Sequence, residues 1–373
     1  MIDGQAVSEF DRNTVCIGGL PFDVVDMPAA VERIYSAVAA RRSFFLSTPN
    51  LNFLMTAMKD ASFRDSVIHS ELSVVDGMPL VWMARLLGFP ISERVAGASL
   101  FNALWHGGMP TKDKPIISVY FFGGPPGVAE LAGRMIDTSA GRMRCAGYFC
   151  PGFGSIEEMS STAIIEAINA SGADFLVVSL GAKKGQAWIE HNRGWITVPV
   201  LSHLGAVVNF VAGTVNRAPV FWQKNGLEWL WRIKEERSLL KRYVGDGLGM
   251  LRFLFQRVIP YAIWLRTAYR HKARNGEVRL IQEADALRFE LAGDIGSTGM
   301  AQWREQLKSM NPGSRVILDF KQVDSLPPEF FSLLLLLRKK LDAAGADLSL
   351  VGISSPIRRH FYWNGLDFLM EDN

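Results

Sequence analysis

A chain of 373 residues is longer than one compact core normally holds, so two domains are expected. Its 49% hydrophobic and 21% charged residues are those of an ordinary folded protein, which excludes a disordered chain. Cys16, Cys145 and Cys150 form neither an even disulfide framework nor a C-x-x-C metal pair, no stretch reaches the ~20 apolar residues of a membrane span, and the amino terminus lacks the apolar core of a signal peptide. A cytoplasmic chain with reduced thiols is the expectation. The formal charge of +3 says little by itself, but basic residues outnumber acidic ones from Arg232 to Arg274, which points to an anionic partner there.

Residues 14–20 and 21–25 read as a short strand and turn, and 29–40 as a helix with Val31, Ile34, Tyr35 and Val38 on one face. Residues 43–47 (SFFLS) have the makeup of a buried strand, with Thr48, Pro49 and Asn50 at its carboxyl end. A helix is expected over 53–70, then a strand over 72–75 ending in Asp76 and Gly77, then a helix with Pro79 in its first turn running to Leu87. Arg94 precedes a helix over 99–106. The run 116–122 (IISVYFF) is a strong strand signal, followed by Gly123, Gly124, Pro125, Pro126 and Gly127 and a helix over 128–136. The pattern repeats: a weak strand before Gly147, a helix over 155–170, a strand over 174–180, a loop Gly181–Gln186, a helix over 187–192 and a strand over 198–204. Alternation of this kind predicts an α/β fold with a Rossmann-like, mostly parallel sheet, in which ligands bind outside the carboxyl ends of the strands.

Thr48, Asn50 and Asp76 would then offer a hydroxyl, an amide and a carboxylate to one crevice. Helix caps and turns use the same residue types, so the pattern alone leaves both readings open. Gly123, Gly124 and Gly127 form a strand-to-helix turn in which free N–H groups could receive a phosphate, or simply a tight turn; it is neither the dinucleotide fingerprint nor a P-loop.

The succession T-P-N (48–50), V-D-G-M-P (75–79), R-V-A-G (94–97), F-F-G-G-P-P-G (121–127), L-G-A-K-K (180–184), R-A-P (217–219) and G-L-E-W-L-W-R (226–232) resembles the WecG/TagA/CpsF glycosyltransferases. The resemblance implies an inverting, metal-independent transfer without cofactor, moving a sugar such as N-acetylmannosamine or another hexose from a uridine diphosphate donor to a polyprenyl-diphosphate-linked acceptor at the inner membrane face. It implies Asp76 as the catalytic base and Thr48, Asn50, Arg94, Gln186, Arg217 and Arg232 as substrate-binding residues. The absence of a D-x-D pair agrees with metal-free chemistry. Two positions depart from the family pattern. Gly181–Gln186 reads G-A-K-K-G-Q where G-A-P-K-Q-E is usual, so the pocket glutamine is replaced by Gly185 or displaced to Gln186, and Asn209 stands where aspartate is usual.

Residues 248–269 are apolar but interrupted by Arg252, Arg257, Pro260 and Arg266, which suits a helix lying on a membrane surface better than one crossing it. Long aliphatic side chains among those cations argue against nucleic acid. Residues 271–276 read as a linker. Beyond it, strands over 286–291, 315–320 and 348–352 alternate with helices over 299–310, 329–341 and 357–364. This part, with Gly293-Asp294-Ile295 and the 316–337 block, resembles STAS domains, small α/β modules that bind protein partners. Proline occupies the place of the phosphorylated serine of that family, with Ser325 close by, and Leu333–Leu337 reads as core. The expected division is a transferase domain over 1–244, a basic membrane-proximal segment over 245–275 and a STAS-like domain over 276–373. The alternative is a transferase-like protein of weak activity that recruits an assembly complex through that module.

Overall fold

The computed structural model describes residues 8–107, 115–219, 221–222, 226–235, 239–269, 275–283, 285–311, 313 and 315–370; most of the expected linker at 271–276 lies outside them. The first strands, β1 (Thr14–Ile17) and β2 (Leu20–Asp23), form an antiparallel hairpin. The next six are β3 (Phe44–Ser47), β4 (Leu72–Ser73), β5 (Ile117–Gly123), β6 (Met143–Phe149), β7 (Phe175–Ser179) and β8 (Val200–His203). They pair in parallel in the order β4-β3-β8-β7-β5-β6. The last four, β9 (Glu277–Gln282), β10 (Ala286–Asp294), β11 (Arg315–Ser325) and β12 (Leu348–Val351), form a separate sheet in the order β12-β11-β10-β9. Three of them are parallel and the edge strand β9, not anticipated from the sequence, is antiparallel.

The chain divides into two compact units, with one division between Gly247 and Leu248. One unit comprises Val25–Val81 and Ile91–Gly247, the other Met1–Val24, Trp82–Pro90 and Leu248–Asn373.

In the first unit the apolar runs are buried over their whole length because the parallel sheet is covered on both faces. Alternate residues serve opposite sides. Phe44, Leu46, Phe121, Phe175, Val177 and Val200 join one core, while Phe45, Phe122, Leu176, Val178 and Leu201 join the other, around Trp188. After β5 and β8 the chain turns to the first face, where Ala129, Ala132, Val207 and Val208 pack. After β7 it turns to the opposite face, where Trp188 and Ile189 pack, and the helix Ala61–Ile68 that follows β3 packs on that same helix. Crevices therefore open outside the carboxyl ends of these strands, the usual place for a ligand in such a sheet.

Three local expectations are corrected. The helix expected over 53–70 is two, Leu51–Ala57 and Ala61–Ile68, because the Asp60 side chain accepts the Phe63 N–H and starts a new helix. The helix expected over 155–170 begins at Thr162, after a short 3₁₀ turn at Glu158–Ser160. The presumed loop Gly181–Gln186 is mostly helix, since Ala182–Asn192 forms one continuous element.

In the second unit the hairpin β1–β2 packs on the long helix Pro328–Ala344, whose Leu333–Leu337 run is fully buried as expected of core. Ser332 donates to the Thr14 carbonyl at 2.8 Å, and Gly19 N–H to the Asn364 carbonyl at 2.7 Å. Ser325 is buried and donates to Asp294 Oδ1 at 2.5 Å, so its hydroxyl is enclosed by its own unit. Residues 248–269 are not one continuous α-helix: Leu239–Phe253 passes through a π-helical turn at Leu254–Val258 into Ile259–Arg266. Arg257 is turned inward, bonded to Asp367 at 2.6 Å and lying over the Tyr362 ring. Among the described residues, no helix is long and apolar enough to cross a membrane.

Candidate active site

Thr48 and Asn50 follow β3 directly. Asn50 caps the helix Leu51–Ala57, its side chain accepting the Phe53 N–H at 3.2 Å. The segment after β4 runs beside them: Val74 N–H bonds to the Ser47 carbonyl at 3.0 Å and Asp76 N–H to the Pro49 carbonyl at 2.9 Å. A third strand of backbone joins when Val95 N–H bonds to the Val75 carbonyl at 2.9 Å. These contacts bring T-P-N, V-D-G and R-V-A-G side by side, although up to 49 positions separate them in the chain.

The Asp76 carboxylate accepts the Gly97 N–H at 3.1 Å, at the first residue of the helix Gly97–His106, where the dipole favours negative charge. Gly97 has to be glycine for space: a Cβ there would meet Leu204 at 2.8 Å and Thr48 at 3.2 Å. Burial pushes the Asp76 carboxyl up to about 6, against the opposing pull of Arg94, the Gly97 N–H and Arg232 and with a further push from Glu228. A carboxylate in that range is suited to take up and give back a proton near neutrality.

Three arginines surround this carboxylate. Arg94 bonds Glu228 at 3.1 Å. Arg217 donates to Ser99 Oγ at 2.5 Å, and burial together with Arg94 and Arg232 holds its pKa down against Glu228 and Asp76. Arg232, in the helix Glu228–Glu235, lies over the Phe210 ring with its guanidinium carbon 5.7 Å from the centroid. Several cations beside two carboxylates can stabilise an added anion such as a departing diphosphate. Glu228 was visible in the sequence only as part of G-L-E-W-L-W-R, and Ser99 carried no signal.

Gly123 ends β5 and Gly124 follows, both in the left-handed region at φ +96° and +87°. Gly124 N–H bonds to the Ser179 carbonyl at 2.8 Å, and a Cβ at Gly124 would meet Val208 at 3.1 Å. Gly127, at φ +78°, precedes the helix Val128–Thr138, with nothing within 4 Å of where its Cβ would be. Open space in this turn is therefore at Gly127, at the start of the helix that follows β5, two strands from β8. Gln186 is 0% exposed and donates to Oγ of Ser47, the residue before Thr48, at 3.0 Å. Gly185 faces the His203 ring, a residue that the sequence did not single out. Asn209 accepts the Thr214 hydroxyl at 3.2 Å.

The family model described as Glycosyl transferase WecG/TagA/CpsF family matches residues 15–262. This span contains every residue of the site just described. With about two thirds of its length matched, the chain belongs to the WecG/TagA/CpsF family of glycosyltransferases, which act in cell-surface polysaccharide synthesis.

Proposed function

We propose that the chain transfers a glycosyl unit, with inversion, from a UDP-sugar to a polyprenyl-diphosphate-linked acceptor. The observation that carries this reading is Asp76, a carboxylate raised to about 6, set among Arg94, Arg217 and Arg232. The acceptor hydroxyl attacks the anomeric carbon and gives its proton to Asp76 as the C–O bond to the diphosphate breaks. The pair of electrons leaves with UDP, and the arginines offset the added charge. Thr48 and Asn50 flank the sugar, and the Gly123–Gly127 turn receives the nucleotide diphosphate. No metal is required in this scheme.

The test is release of UDP from a panel of UDP-sugars, with and without a short-chain polyprenyl-diphosphate-sugar acceptor. Acceptor-dependent release, unchanged by EDTA, is the expected outcome. Donor binding without release across all acceptors would favour a regulatory protein instead. Arg94→Ala is expected to raise the donor KM about 10-fold, the effect of losing one charge-assisted contact of about 1.5 kcal/mol. It should also move the acidic limb of the pH profile upward, because Arg94 is the leading charge holding Asp76 down and Glu228 remains. An unmoved limb would show that Arg94 does not act on Asp76.

A peripheral position on the inner membrane face also belongs to this proposal. Leu248, Leu251 and Phe255 are exposed at helical spacing, with Arg252 beside them, as in a helix lying in the interface. Phe255→Glu is expected to weaken sedimentation with vesicles containing anionic lipid at least several-fold, and equal sedimentation would refute that contact. The four-stranded sheet of β9–β12, with helices Ser297–Ser309 and Pro328–Ala344, supports the reading of the carboxyl-terminal part as a STAS-like protein-binding module.

A further inference from the structure

His203 ends β8, one residue before Leu204, which packs with Thr48 around Gly97. It is 7% exposed, and neither ring nitrogen has a hydrogen-bond partner among the described residues. Gln186, which follows Gly185 in the chain, uses its amide nitrogen on Ser47, and its buried Oε1 has no partner among the described residues. Leaving such groups unmet costs about 1–3 kcal/mol each, so a bound molecule that partnered them would be favoured.

The chain also makes room for this imidazole. A Cβ at Gly185 would come within 2.9 Å of His203 Cγ and 3.2 Å of Nε2, and one at Gly205 within 3.0 Å of Nε2. Neither glycine has a left-handed φ, so neither is required by the backbone. Gly185 lies inside the helix Ala182–Asn192, where glycine costs roughly 1 kcal/mol relative to alanine. Two glycines thus leave room for one polar side chain that has a ring contact with Phe53, centroids 6.2 Å apart, but no hydrogen-bond partner among the described residues.

We propose that the His203 imidazole reads hydroxyl or amide groups on an uncharged glycosyl unit of the donor, which makes His203 the specificity-determining residue at the position vacated by the side chain missing from Gly185. This rests on the transferase reading above. Burial pushes the imidazole down to about 4, so at neutral pH it offers one N–H and one lone pair, a match for a hydroxyl. A neutral imidazole brings no positive charge to offset a carboxylate, so uronic-acid donors are disfavoured.

The experiment compares wild type with His203→Phe and His203→Asn in initial-rate kinetics over UDP-hexoses, UDP-N-acetylhexosamines and UDP-uronic acids, together with calorimetric binding of UDP alone. Phenylalanine keeps the ring volume and removes both nitrogens, whereas asparagine keeps a donor and an acceptor. The expected result is a donor KM raised roughly 10-fold in His203→Phe, partial recovery in His203→Asn, a flattened preference among donors, and unchanged affinity for UDP. Wild-type KM and donor ranking in a folded His203→Phe that binds UDP normally would overturn the proposal and mean that the imidazole meets only internal water. A wild-type protein that binds and turns over no UDP-sugar would instead sink the transferase reading, and this proposal with it.

Discussion

Replacing Asp76 by asparagine is expected to lower turnover about 10²- to 10⁴-fold, the usual contribution of a positioned general base, while making the fold more stable at neutral pH. Asparagine keeps an oxygen that can accept the Gly97 N–H, so the backbone junction between the 76 and 97 segments survives. It cannot take the acceptor proton. The stability gain follows from the direction of the pKa shift. Asp76 binds its proton more tightly folded than unfolded, so its contribution to stability is fully present below about 3.8, declines as pH rises, and has become a cost above about 6. At pH 7 that cost, reduced for the partial exposure of the group, is on the order of 1–2 kcal/mol, and the asparagine variant escapes it. Wild-type turnover should correspondingly rise with pH through about 6 and then level off. An asparagine variant that keeps wild-type turnover would remove Asp76 from the mechanism, and one that is inactive but less stable would mean that the carboxylate is structural.

Asp23→Ala is expected to cost about 3–5 kcal/mol, because it breaks a buried ion pair by removing one partner. Asp23 holds Arg12 through two hydrogen bonds, at 2.7 and 3.2 Å, with side-chain exposures of 0% and 8%. Burial opposes the Arg12 charge, and Asp23 together with Glu9 reverses that effect and raises its pKa. Glu9 cannot replace Asp23 fully, since it is also shared with Lys339 at 2.9 Å. The loss should appear in the unit that contains residues 276–373, read by urea unfolding of the buried Trp303 stacked on Phe330. A change below about 1 kcal/mol, the range of an exposed pair, would show that the amino-terminal hairpin is not integral to that unit.

Much of the first unit was legible in the sequence because its signals are local. Runs such as ISVYFF and FLVVS are apolar throughout, as a sheet covered on both faces requires, and the T-P-N, V-D-G and R-V-A-G segments carry their chemistry in a few adjacent residues. The sequence alone therefore determined the α/β class, the alternation of strands and helices, and Asp76, Thr48, Asn50 and Arg94 as residues to examine. It also exposed Gly185 as an anomaly without saying what filled the space. Only the tertiary structure decided the rest. The hydrogen bond from Gly97 to Asp76, the facing of Arg94 and Glu228, and the imidazole of His203 against Gly185 join residues 18 to 134 positions apart. The hairpin at 14–23 joins a helix more than 300 positions later. Periodicity reports which face of an element is buried, but not which distant surface buries it; that is settled by which apolar faces and buried charges fit one another when the chain closes.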